Sequence, residues 1–191
     1  MSRTTNPVLT EQIVTAARRL WHQNGEKGLT LRAVARAAGT TTPSVYQRFP
    51  AKQDLVAAIA DHIRLEVGTA VAGGRNLEDG FRRYMDYAKR HRQEYSLLNT
   101  TALGQIFGKA RPRPGFEWAQ QELVRRHGGK LEDYEATVYA ITCLLHGTAN
   151  LVLTMPPGTL ADEVEESSRR AALQLAAHPI CPSKNGRKKR R

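Results

Sequence analysis

The stretch Gly39–Leu55, "GTTTPSVYQRFPAKQDL", is dense in side chains that recognise rather than pack. Thr41, Thr42 and Ser44 carry small hydroxyls that can donate or accept toward a base edge, and a threonine methyl can touch a thymine methyl. Gln47 and Arg48, one helical turn further on, are long enough to reach an adenine or guanine edge. Tyr46 holds a phenolic donor at a set distance from the backbone, which suits a phosphate. Lys52 adds a cation beside a helix N-terminus, a second phosphate device. Val45 and Phe49 point away from this surface, toward Val34 and Leu20. Taken singly, Thr42–Pro43 is a good helix start and Tyr46 a half-buried core tyrosine. Taken together with the local charge, the residues point to duplex DNA.

The elements that must position these groups read as helices throughout. Thr10 can cap a first helix with Ile13, Ala17 and Leu20 inward and Gly25 as terminator. Thr30 can cap a short second helix with Leu31, Val34, Ala35 and Ala38 inward, ended by Gly39. Thr42 followed by Pro43 reads as an N-cap with proline at the first helical position, and Pro50 stops this brief third helix just after Phe49. The second and third helices are then joined by Gly39–Thr41 alone, the spacing of a helix-turn-helix. A longer helix runs from about Lys52 to "AGG" at 72–74, with Leu55, Val56, Ile59 and Ile63 on one face. Further amphipathic helices are expected at 77–92, 94–107, 116–126, about 131–153 and from about 160. The loop "GKARPRPG" (108–115) separates the second and third of these.

Charge divides the 191 residues unevenly. Residues 1–55 carry eight Lys or Arg against three Asp or Glu, residues 56–183 carry fifteen of each, and the tail "KNGRKKRR" (184–191) adds six cations. A neutral middle between two basic ends suits a polyanion-binding head on a body with another task. Cys143 and Cys181 lie far apart with no Cys/His clustering, which argues against a zinc site or disulfide scaffold and fits a reducing cytoplasm. There is no apolar leader at the N-terminus. The run from Ala136 to Ala161 contains no charged residue, yet Thr137, Thr142, His146, Gly147, Thr148 and Asn150 interrupt it, so a buried helix is favoured over a membrane span. No Gly-rich phosphate loop, HExxH, GxSxG or pair of carboxylates beside a base is present, so neither catalysis nor a cofactor nor a metal is expected.

The segment "LTLRAVARAAGTTTPSVYQRFPAKQDLVAAI" resembles the TetR-type DNA-binding domain over about residues 8–60. The resemblance lies in a Thr-capped second helix, a Val-Ala-x-x-Ala-Gly ending, a "TPSVYxxF"-like recognition helix and a Lys-x-x-Leu entry into the fourth helix. It implies that Thr30, Tyr46 and Lys52 bind phosphate, and that Thr41, Thr42, Pro43, Ser44 and Gln47 meet bases. One departure is Ala51, where a small capping residue is usual, which weakens the start of the fourth helix. The expected organisation is all-α: a helix-turn-helix domain at 1–52, a helical effector-binding and dimerisation domain at 53–180, and a disordered basic tail at 181–191.

The body is less specific. "HRQEYSLLNTTA" and "AITCLLHGTANLVL" are similar to a TetR subgroup with a His-Gly pair in the eighth helix. Tyr84, Phe107, Trp118, Tyr139, Cys143 and His146 are the candidates for a small-molecule pocket, although aromatics at helical spacing are more often core and a histidine in an apolar helix is more often a hydrogen-bonded core residue. The family implies a homodimer through the last two helices, about 131–153 and 160–177. The uncharged helix supports this independently, having apolar residues enough for its own core and a twin, and Leu160, Val164, Ala171, Ala172 and Leu175 form a small-residue stripe on the last helix. The expected function is a dimeric, cytoplasmic transcriptional repressor on a palindromic operator, released by an unidentified effector. The alternative is a basic architectural protein that coats DNA, against which the neutral body argues.

Overall fold

The structure, a computed structural model, describes residues 7–98 and 112–180. Phe107, most of the 108–115 loop, Cys181 and the basic tail lie outside the described residues. The described helices are α1 (Pro7–Gly28), α2 (Leu31–Ala37), α3 (Thr42–Tyr46), α4 (Lys52–Ala72), α5 (Leu77–Arg90), α6 (Arg92–Leu97), α7 (Pro114–His127), α8 (Glu135–Thr154) and α9 (Thr159–Ala177). A 3-10 turn at Leu131–Tyr134 leads into α8. By their contacts, residues 7–65 and 91–98 form one compact unit, and residues 66–90 and 112–180 form another.

In the first unit, α1 already runs through Pro7, so Thr10 lies inside the helix rather than capping it. Near its other end the helix breaks at Gly25, whose φ of 60° and ψ of −155° no L-residue adopts without strain. Of the expected core, Ile13, Ala17, Val34, Ala35, Val45, Phe49, Leu55, Ile59 and Ile63 are buried, whereas Leu31, Ala38 and Val56 are half-buried. Leu20 is only half-buried. The sequence division at residue 52 cuts across this unit, which holds the first part of α4 and also α6. The α6 link is polar. Glu94 is buried and accepts from Arg18 Nε at 3.0 Å and Nη2 at 2.7 Å, while Trp21 Nε1 donates to the Gln93 carbonyl at 3.3 Å.

In the second unit, α8 packs on α5, α7 and α9, and α9 also packs on α5. Leu131–Thr154 is long and apolar enough to cross a membrane by length and composition; within it Val138, Ile141, Leu145 and Ala149 are buried among these helices, while Leu151 stays exposed. Two carboxylates, the buried Asp79 and the half-buried Glu166, gather arginines around them. Asp79 accepts from the Arg75 N–H, from Arg82 and from Arg83, and Asn76 Oδ1 caps the Asp79 N–H at 2.9 Å. Glu166 accepts from Arg169 and Arg170, and Arg169 reaches on to Glu78.

These bonds favour the charged carboxylates. The Arg75 N–H, followed by Arg82 and Arg83, holds Asp79 well below the usual carboxylate range. Arg169 and then Arg170 push Glu166 down to about 2. Since the folded values lie below the unfolded ones, the stabilisation is complete above about pH 5 and is lost as pH falls toward 2. Thermal melts between pH 6 and pH 2.5 should therefore show a falling midpoint, and Asp79→Asn should lower the midpoint at pH 6 while flattening the fall. An unchanged slope in that variant would remove Asp79 from the acid response.

Candidate nucleic-acid interface

The turn between α2 and α3 is set by backbone hydrogen bonds. Gly39, at a φ of 63°, ends α2 in the left-handed region that glycine alone enters freely. The Thr40 N–H donates to the Ala35 carbonyl at 2.9 Å and the Gly39 N–H to the Arg36 carbonyl at 3.3 Å, which together form a Schellman motif. The chain then re-enters a helix within two residues.

The cap of α3 is Thr41, one residue earlier than the sequence suggests. Its Oγ1 accepts from the Ser44 N–H at 3.3 Å and lies 2.9 Å from Ser44 Oγ. The physical reason is the extended Thr41 backbone, at φ −95° and ψ 151°, which aims the hydroxyl at the open N–H groups of the first turn. Pro43 therefore sits at the second helical position, and Thr42 is spared the capping task. Thr30 caps α2 in the same way, accepting from the Ala33 N–H at 3.1 Å. A capping hydroxyl accepts with its oxygen, which leaves the Thr30 proton for an outside acceptor, whereas one hydroxyl proton of the Thr41–Ser44 pair lies between their two oxygens.

The remaining candidates divide into three groups. Thr30, Thr41, Pro43, Tyr46 and Gln47 are exposed, and Thr42 and Ser44 are half-exposed. Tyr46 stands 52% exposed between the buried Val45 and Phe49, so it is not a core tyrosine. Arg48 turns back: its Nη1 donates to the Ser44 carbonyl at 3.0 Å and its Nε is buried, so the guanidinium braces the end of α3. Lys52 Nζ donates to the Glu26 carbonyl at 3.0 Å and so is held beside the start of α4. That start is firmer than Ala51 implies, because the Asp54 carboxylate accepts the Ala51 N–H at 2.9 Å. Sequence reasoning passed over Lys27, Arg32 and Arg36, which are exposed. Arg32 and Arg36, four apart on a short helix, share one face, a spacing that could have marked them.

The structure brings together only part of the proposed small-molecule set. Tyr84 and His146 are both buried, with the phenol oxygen 3.1 Å from Nδ1, and burial lowers the imidazole pKa and favours its neutral form. Tyr139 belongs to a separate cluster, in which its hydroxyl accepts from Arg113 at 3.2 Å and its ring lies 4.8 Å from that of Phe116. Trp118 packs over Gly80 so closely that a Cβ there would come within 2.7 Å of the indole, which is a packing role. Cys143 is exposed and so does not share the buried face of His146. Phe107 lies outside the described residues.

Comparison with known proteins follows the same outline. The family model described as "Bacterial regulatory proteins, tetR family" matches residues 13–59, from α1 into α4. No curated protein sequence matches the chain. TetR from Acinetobacter baumannii AYE is 17% identical, with 87% of this chain and 93% of that chain covered at a TM-score of 0.60. The multidrug binding protein EbrR, solved with ethidium, is 22% identical, with 89% and 99% covered at a TM-score of 0.60. A TetR-family member from Streptomyces coelicolor A3 is 23% identical, with 87% and 97% covered at 0.56. At these identities the likeness is one of fold.

The two threonines at the start of α3 can be told apart by stability. Thr41→Ala removes the cap and should cost about 1 kcal/mol in urea denaturation, whereas Thr42→Ala should stay within about 0.5 kcal/mol. The reverse order would return the cap to Thr42.

Proposed function

We propose that the chain, whose residues 13–59 match the TetR-family model and carry the helix-turn-helix, is a DNA-binding regulator of that family and acts as a homodimeric repressor. It occupies a palindromic operator and leaves it when a small molecule binds the helical body. The observation that carries the DNA part of this reading is the opposition of faces around α3: Val45 and Phe49 are buried, while Thr41, Pro43, Tyr46 and Gln47 are exposed on a helix that starts from a Schellman turn. Thr42, Pro43, Ser44 and Gln47 meet base edges. Thr30, Thr41, Tyr46 and Lys52 meet phosphates, with Thr41 able to reach either. Arg48 acts by holding the end of α3.

Dimerisation through α8 and α9 is supported by what they leave exposed. Cys143, Gly147 and Leu151 recur on the outer face of α8, and Leu160 follows at the start of α9. Leu151 and Leu160 are 52% and 63% exposed, and no charged residue lies between Glu135 and Asp162. An uncharged face of this kind is what a second copy would cover. Two recognition helices about 34–36 Å apart would then meet successive major grooves. Tyr84 with His146 is the polar pair that a ligand in the body would engage, and release is a population shift toward a spacing of the two heads that no longer fits the operator. On this reading the protein works in the cytoplasm as a binding protein rather than as an enzyme.

Site selection from a random duplex library tests the reading directly. A palindromic consensus is expected, and an AT-rich preference without symmetry would instead favour the architectural alternative. Against the selected site, Lys52→Ala should weaken all sequences by a similar factor, whereas Thr42→Ala and Gln47→Ala should change which sequence is preferred. Equal loss for the three variants on every sequence would overturn the division into phosphate and base contacts. For the dimer, Gly147→Arg is the sharper variant, because nothing lies within 4 Å of where a Cβ would stand. Sedimentation should show a folded monomer for Gly147→Arg, and a dimer in that variant would move the interface elsewhere.

A further inference from the structure

Glu26 is the only Asp or Glu between Glu11 and Asp54, a stretch that carries seven Lys or Arg. It is held in a particular place. The break at Gly25, with φ 60° and ψ −155°, turns the chain so that the Glu26 carbonyl accepts from Lys52 Nζ at 3.0 Å. The Glu26 carboxylate comes to 3.8 Å from the same nitrogen, and its side chain remains 76% exposed. The other acid at this corner, Asp54, is committed to the Ala51 N–H. Glu26 has no such structural duty: among the described residues, its carboxylate has Lys52 alone as partner.

We propose that Glu26 is an internal competitor for the phosphate that Lys52 takes, and so sets how tightly the head binds duplex DNA of any sequence. The proposal rests on the reading of Lys52 as a phosphate contact. The carbonyl of residue 26 positions the ammonium, and the carboxylate part-neutralises it. An arriving phosphate must displace that carboxylate or accept a like charge within a few ångströms, inside the screening length at physiological salt. Affinity that comes from charge alone is lowered, so base contacts carry a larger share of the discrimination between sites. Where the last turn of α1 and the start of α4 meet, the acid removes part of the charge-driven binding that the seven cations would otherwise supply.

The test is a double-mutant cycle on the full chain, read by fluorescence anisotropy with a labelled duplex of scrambled sequence over a series of salt concentrations. Glu26→Gln keeps the carbonyl and nearly the shape, and thermal melts confirm that each variant is folded. Glu26→Gln should bind about 3–10-fold more tightly and steepen the salt dependence by up to about one phosphate contact. In a Lys52→Met background the same change should gain less than about twofold. If Lys52→Met weakens binding but Glu26→Gln changes nothing, the competitor role is wrong and the phosphate reading stands. An equal gain in both backgrounds would also overturn the role, since the acid would then act without Lys52. If Lys52→Met leaves affinity unchanged, the phosphate reading fails and the proposal falls with it.

Discussion

A five-residue helix does not persist in water, because forming its first turn costs more than the few hydrogen bonds return. α3 is such a helix, and its persistence depends on burying Val45 and Phe49. Each buried side chain contributes about 1.5–3 kcal/mol, which outweighs the unfavourable nucleation. The local devices then refine what burial has made possible: the Schellman turn at Gly39, the Thr41 cap and the Arg48 brace. Once Val45 and Phe49 point inward, Tyr46 and Gln47 have no direction left but outward. The exposed face of α3 is thus a consequence of packing on its opposite side.

The same dependence of an exposed face on a buried one recurs in α8. Val138, Ile141, Leu145 and Ala149 are buried, and His146 lies among them as a polar group held by Tyr84. A buried imidazole costs least when neutral and hydrogen-bonded, and both conditions are met here. Because every residue from Ala136 to Ala161 is uncharged, the outer face of α8 remains apolar as well. That exposed apolar surface, added to the buried face, is why the helix resembles a membrane span in composition.

Much of the front of the chain was legible because its signals are local. Thr30 and Gly39 mark the two ends of α2, and both act there. The inward pair Val45 and Phe49 follows from helical spacing once a short helix is assumed. The cap of α3 was misread by one residue because three threonines in a row satisfy the same preference, and only the extended backbone of Thr41 separates them. Asp54 compensates for Ala51 through a carboxylate three residues ahead, a spacing that the sequence itself carries. The body was less legible. Trp118 reads as a pocket aromatic until Gly80 is seen beneath it, and Cys143 and His146, three apart, divide between an exposed and a buried face.

Periodicity, caps and breakers were enough to dictate an all-helical chain, a helix-turn-helix near the front and a basic head before a neutral body, since each depends on residues within a turn or two of one another. Tertiary structure decided the rest. The burial of Glu94 against Arg18 groups α6 with the first unit. A bond to the last turn of α1 fixes Lys52, and a bond back to Ser44 of α3 draws Arg48 away from the exposed face of that helix. Long charged side chains have many rotamers of similar energy, and the choice among them is made by whichever distant carbonyl or carboxylate the fold brings within reach.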